Sequence, residues 1–184
     1  MRVVCIGDSN TYGYDPASYT GSRYGRDVRW TGRLEAEEVI NEGVNGMGIP
    51  RTGEASVRLA KSTQPGDAIV IMLGTNDLLE GADAAEAGRR MDAFVSRLAG
   101  MVKDARMILI APPVMKEGAW VAGQKLIHES ELLKGAYEQI AAKHGIEFCD
   151  ADDWNVSLTF DGVHFTAEGH RNFAAGLNRK LKSE

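Results

Sequence analysis

Long apolar runs are missing from this chain. No uninterrupted stretch approaches the roughly 20 residues that a membrane-crossing helix needs, which argues against a helical membrane partner. No apolar leader with a cleavage site precedes the first strand pattern, Arg2-Val3-Val4-Cys5-Ile6-Gly7, so no secretory signal is visible and a cytoplasmic protein is expected. Cysteine is scarce. Cys5 and Cys149 sit in separate apolar, strand-like stretches, which is no disulfide framework and suits two buried free thiols in a reducing compartment. An excess of positive charge is missing too. The net charge is -5 and the pI about 5.4, which excludes a general nucleic-acid binder, because phosphate contacts need a concentrated Lys/Arg surface. The one basic run, Arg179-Lys180-Leu181-Lys182, reads as the solvated last turn of a helix, complementing its dipole.

Several motifs are also lacking. No G-x-S-x-G elbow surrounds Ser9, so the chain is no ordinary α/β-hydrolase. The glycines at 43, 46 and 48 make no dinucleotide fingerprint. His128, His144 and His170 lack metal-ligand spacing and read as structural or exposed, with His144 in the last turn of a helix. Asp150, Asp152 and Asp153 cluster, but without a ligand pattern they read as a solvated loop. Neither a metal nor a cofactor is implied.

What is present is a single-domain pattern over residues 1–184, with no repeat and no linker. Its 43% hydrophobic and 26% charged residues are the balance of a soluble globular domain, large enough to bury a core without staples. Short apolar runs at 3–6, 39–41, 68–73, 107–111 and 146–149 read as strands. Between them, helical spacing covers 28–38, 54–62, 84–103, 130–144 and 166–181. The run at 68–73 is apolar throughout, as in a strand buried on both faces. Trp30 and Leu34 share a helical stripe that faces the core. This alternation predicts an α/β fold: a five-stranded parallel sheet with helices on both faces, a flavodoxin-like three-layer αβα sandwich.

In such a sheet, ligands bind beyond the carboxyl ends of the strands. Four chemically active segments fall there: Gly7-Asp8-Ser9-Asn10, Glu42-Gly43-Val44-Asn45-Gly46, Gly74-Thr75-Asn76-Asp77, and Asp161-Gly162-Val163-His164-Phe165. Together they supply the parts of acyl transfer. The Ser9 hydroxyl needs a base, and the His164 imidazole is the best candidate. Asp161, three residues earlier, can fix the imidazole tautomer. The Ser9 amide, the unobstructed Gly46 amide and the Asn76 carboxamide can serve as oxyanion donors. Read alone, Ser9 could simply cap a helix. Asp8 is expected to hold the strand-to-helix turn through nearby amides, and Asp77 to orient the turn around Asn76.

These four ordered blocks, spanning residues 4–166, resemble those of the SGNH hydrolases, the GDSL esterase/lipase family. Gly7-Asp8-Ser9, Gly46, Gly74-Thr75-Asn76-Asp77 and Asp161-x-x-His164 match its four blocks in turn. Asp27-Val28-Arg29-Trp30-Thr31-Gly32, Glu42-Gly43 and residues 70–77 further resemble a bacterial arylesterase-like branch. The resemblance implies an SGNH hydrolase fold and a serine esterase for short acyl esters, working through an acyl-enzyme. Carbohydrate O-acetyl esters and thioesters are the alternatives, and acyl transfer to other nucleophiles is a related outcome. Two departures bear on substrate preference. Asn10 stands where that branch usually has leucine, and the segment 47–53 lacks the usual Arg-Thr-Thr.

Tyr12, Tyr14, Tyr19, Tyr24, Met115 and Trp120 lie in loops flanking the rim, either as pocket walls or as packing. The short chain, without a long apolar insertion, leaves little room for a lid, so small, soluble, short-acyl ester substrates are favoured over long-chain lipids. A homo-oligomer would need apolar surface that the sequence does not locate. Two other classes fit poorly. A phosphoacceptor receiver domain would need a lysine after the last strand, and none follows Cys149. A carbohydrate-binding relative without activity is at odds with the intact set of reactive groups.

Overall fold

The apolar strand runs pair as the sequence pattern requires. In the computed structural model, which describes every residue except 19, 103 and 184, five parallel strands form one sheet in the order β2-β1-β3-β4-β5. They are β1 (Arg2–Gly7), β2 (Glu38–Gly43), β3 (Ala68–Met72), β4 (Arg106–Ala111) and β5 (Glu147–Asp150). Among the described residues, six α-helices accompany them: α1 (Ser9–Tyr12), α2 (Gly53–Lys61), α3 (Thr75–Leu79), α4 (Ala84–Met101), α5 (Gln124–His144) and α6 (Ala167–Lys182).

Successive strand side chains point to opposite faces, and this splits the core in two. Val4, Ile6, Ile69, Ile71 and Leu109 face one way, onto Leu59 of α2, Phe94 and Leu98 of α4, and Leu133 and Tyr137 of α5. Val3, Cys5, Val70, Met72, Ile108 and Ile110 face the other way, onto Trp30 and onto Phe173 and Leu177 of α6. The three-layer sandwich expected from the alternation is therefore present. Cys5 is buried and Cys149 half-buried, both as free thiols; burial pushes the Cys149 thiol up to about 11.

The expected helix over 28–38 is not there. Only one 3-10 turn, Trp30–Arg33, forms, with extended backbone on either side at Arg29 and Leu34. Trp30 and Leu34 do face the core, so the apolar spacing was real, but tertiary contacts satisfy it without a helix. The Trp30 indole N–H donates to the Asn10 carbonyl at 2.9 Å, and its backbone N–H to His170 Nδ1 at 3.3 Å. Glu38 instead opens β2, beside Arg2 in the parallel register.

Smaller differences lie in the helices. Helix α5 begins at Gln124, six residues before the expected 130, after Gly123 rather than a capping side chain. Helix α3 was not expected; it is one short turn beyond β3. Helix α4 ends at Met101, and the expected last residue, Lys103, lies outside the described residues, as does Tyr19. The basic tail is less solvated than expected. Lys180 pairs with Glu147 at 2.6 Å, and Arg106 donates to the carbonyls of Lys180, Leu181 and Ser183 at the end of α6. These cations hold the Glu147 carboxyl down at about 2. Among the described residues, no helix is long and apolar enough to cross a membrane.

Parallel pairing brings all strand carboxyl ends to one edge. Gly7 lies opposite Gly43 on one side and Met72 on the other. The chain leaves β1 for β2 on one side and returns as β3 on the other, so the strand order reverses at β1. Such a reversal opens a crevice at that edge.

Beneath this edge, His170 is fully buried against the rings of Tyr24 and Phe165. Burial, with Arg33 nearby, holds its pKa down at about 3, against 6.5 normally. A lowered histidine value means stability that is present above the unfolded value and lost as pH falls from 6.5 toward 3. Unfolding by urea should therefore show a loss of about 2 kcal/mol between about pH 8 and about pH 5 from this group. His170→Gln should lose less over the same interval; equal losses in both proteins would exclude His170 as the cause.

Candidate active site

A buried strand end followed by a short polar turn begins the site. Asp8 closes β1 and caps α1, its Oδ1 accepting from the Asn10 amide at 2.9 Å. The helix runs only four residues before Gly13, in the left-handed region, ends it. Ser9 is thus the first residue inside the helix, and Asp8, not Ser9, is the cap. Gly43 lets this turn sit low on the sheet, since a side chain there would collide with the Tyr12 backbone nitrogen. Asp8 is buried, which pushes its carboxyl up to about 6 despite the amide bond and nearby His164.

Across the rim, the loop after the Ala151–Trp154 3-10 turn presents Asp161 and His164. Ser9 Oγ lies 2.9 Å from His164 Nε2, and His164 Nδ1 lies 2.7 Å from Asp161 Oδ2. The other Asp161 oxygen accepts from the amides of Val163 and His164, each at 2.9 Å, and from the Thr159 hydroxyl at 2.8 Å. Burial alone would raise the Asp161 carboxyl. The His164 ring and these three donors outweigh it and hold the group well below the usual carboxylate range. Ionised Asp161 accepts from the Nδ1–H tautomer, which turns the Nε2 lone pair toward Ser9.

Gly46 and Asn76 complete the rim. Gly46 takes a left-handed φ of 73°, in a turn closed by the Met47 amide on the Val44 carbonyl. Asn76, in α3, donates one carboxamide N–H to the Met47 carbonyl at 3.1 Å, which fixes its plane and leaves the second N–H for the pocket. Ser9, Tyr14, Asn45, Gly46, Asn76, Trp120 and His164 line a pocket of about 240 Å³. Two rings flank the His164 imidazole, Tyr14 tilted and Trp120 edge-on, each with its centroid 4.8 Å away. Trp120 remains 52% exposed at the mouth, and its amide is tied to the Asp161 carbonyl at 3.1 Å.

All the expected site residues therefore converge, with Asp77 placed differently from its expected turn. It is fully buried and reaches across to the loop after β2, accepting from the Ile49 amide and from Arg90, each at 2.8 Å. It fastens the loop that carries Gly46. Of the flanking loop residues, Tyr14 and Trp120 are pocket walls, whereas Met115 is core. Asn45 joins the lining without having been singled out. His144 pairs with Asp92, and exposed His128 with Glu131. In the acidic cluster, Asp150 pairs with Lys134 and Asp152 accepts from the Val114 amide.

Comparison with known proteins points to one family. Residues 5–171 match the GDSL-like lipase/acylhydrolase family. Among solved structures, a putative arylesterase from Agrobacterium tumefaciens shares 28% identity and a TM-score of 0.84, with 98% of each chain covered. Est24, a carbohydrate acetylesterase from Sinorhizobium meliloti, shares 27% identity and a TM-score of 0.83, covering 98% of this chain and 97% of its own. The aryl esterase of M. smegmatis shares 26% identity and a TM-score of 0.80, covering 99% of this chain and 98% of its own. No curated protein sequence matches. With the family match spanning nearly the whole chain, on a sheet of the same topology class, the chain belongs to the GDSL-like lipase/acylhydrolase family and is a carboxylic ester hydrolase.

Proposed function

We propose that this chain is a serine esterase that hydrolyses short-chain acyl esters, with Ser9 as nucleophile, His164 as general base and Asp161 as its orienting carboxylate. The observation that carries the reading is the unbroken hydrogen-bonded series from Ser9 Oγ through both His164 nitrogens to Asp161. His164 takes the Ser9 proton as Oγ bonds to the acyl carbon, and the carbonyl electron pair moves onto oxygen. The resulting oxyanion accepts from the Ser9 amide, the Gly46 amide and the second Asn76 N–H. The Ser9 amide is one of the first-turn donors that have no partner within their own helix. On collapse, the ester C–O bond breaks and the alcohol leaves with the proton from His164. Water then repeats the sequence on the acyl-enzyme, giving the free acid and restoring Ser9.

The pocket's size favours a small acyl group. The neighbouring structures include both aryl and carbohydrate acetyl esterases. The partly exposed Trp120 ring at the mouth would suit a ring-bearing alcohol of either kind, so a substrate panel should contain both.

Three outcomes follow. Ser9→Ala should abolish covalent labelling by an organophosphonate probe; labelling that persists would place the nucleophile elsewhere. Asn76→Ala should lower kcat by about 10²–10³, the usual cost of one oxyanion donor, and unchanged turnover would remove it from that role. Acetyl nitrophenyl ester should be cleaved faster than the palmitoyl ester; the reverse order would rule out a short-acyl pocket.

A further inference from the structure

We infer that Asn10 is a positioning residue for His164, joining the helix that carries the nucleophile to the loop that carries the base. The inference rests on the proposed roles of Ser9 and His164. Asn10 is buried, yet its side chain is polar, with both its nitrogen and its oxygen hydrogen-bonded. Its Nδ2 donates to the Val163 carbonyl at 3.1 Å, and its Oδ1 accepts from the Phe165 amide at 2.9 Å. These are the main-chain groups immediately before and after His164. A carboxamide offers one donor face and one acceptor face, so a single side chain can clasp both.

The rest of the His164 backbone is held from within its own loop. Its amide donates to Asp161 Oδ1 at 2.9 Å, and its carbonyl accepts from the Thr159 amide at 2.7 Å. Those bonds fix the loop's shape but not its place relative to α1. Among the described residues, the only hydrogen bonds between α1 and residues 158–166 are the two from Asn10 and the Ser9–His164 bond itself.

The other end of the clasp is equally fixed. The Asn10 amide donates to Asp8 Oδ1, and its carbonyl accepts from the Trp30 indole, each at 2.9 Å. Asn10 is also the chain neighbour of Ser9. A closed loop of short links results: Ser9 to Asn10, Asn10 to the backbone on both sides of His164, and the imidazole back to Ser9. Its consequence is a Ser9–His164 distance set by main-chain geometry rather than by the reacting bond. That matters once Oγ bonds to the acyl carbon, because the imidazole must stay in place to return its proton.

Asn10→Leu is close in size and removes both polar groups. Asn10→Asp keeps the shape and the acceptor but turns a carboxylate oxygen toward the Val163 carbonyl. In either variant kcat should fall by about 10- to 100-fold, as expected for a small misplacement of a catalytic group, while KM shifts by less than about threefold. Organophosphonate labelling of Ser9 should slow in parallel. The far-downfield proton resonance of the His164–Asp161 hydrogen bond should persist, because that bond is internal to the loop. Where Asn10→Leu does not fold, Asn10→Asp carries the test by the same readings.

Two results would overturn the inference while leaving Ser9 as nucleophile: labelling and kcat within about twofold of the parent, or a loss of activity accompanied by loss of the downfield resonance. A parent protein that the probe does not label would overturn the Ser9 reading, and this inference with it.

Discussion

Asp161 is buried and nevertheless ionised, and the rim is arranged around keeping it so. A lone carboxylate at that depth would take up a proton. Here the side-chain hydroxyl of Thr159, two main-chain amides and the His164 ring all donate to it. The two amides belong to residues 163 and 164 of the same turn, so satisfying the charge and folding the loop are one event. An ionised Asp161 is the stronger acceptor for Nδ1–H, and the neutral ring protonated there presents its lone pair at Nε2. Removing the charge would disturb loop conformation and imidazole orientation together.

The other two buried carboxylates of the rim do different work. Asp8 meets one backbone amide and sits under strong desolvation, so its carboxyl is pushed up to about 6, toward the neutral form. It caps a helix too short to be stable alone. Asp77 meets both an amide and the Arg90 guanidinium, and holds the Gly46 loop against α4. Three aspartates within one rim thus differ in environment because they differ in donors, and each organises a separate segment: α1, the loop after β2, and the loop bearing His164.

These segments were legible in the sequence because a parallel sheet needs little more than strand order to place them. Once 3–6 and 68–73 were read as strands, Ser9 and Asn76 had to emerge at the same edge. The helix read over 28–38 failed for the converse reason. Trp30 and Leu34 have helical spacing, but spacing reports burial, and here an indole bond to Asn10 and an amide bond to His170 provide the partners a helix would have supplied. Asp77 was read as acting locally because its partners, Ile49 and Arg90, lie 28 and 13 residues away. Asn10 was noticed only as a polar residue at a position where leucine is usual. Its partners lie more than 150 residues further on, a separation that no local pattern records.

A division of labour follows between the two kinds of interaction in this molecule. The sheet faces are held by apolar packing, which is strong but tolerant of small shifts. The rim is made of single helical turns and irregular chain, where many main-chain donors and acceptors find partners only one at a time. Catalytic distances must hold to a fraction of an ångström, and directional bonds do this better than packing does. The site residues accordingly take their positions from carboxylates and a carboxamide bonded to main chain, on short helices and loops raised above a core that supplies the stability. The pocket walls, Tyr14 and Trp120, meet the His164 imidazole through ring contacts alone, while their backbone amides are tied to the Ser9 and Asp161 carbonyls. A side-chain change at either wall leaves these main-chain ties in place, so the pocket can be reshaped while the Ser9–His164–Asp161 hydrogen bonds are kept.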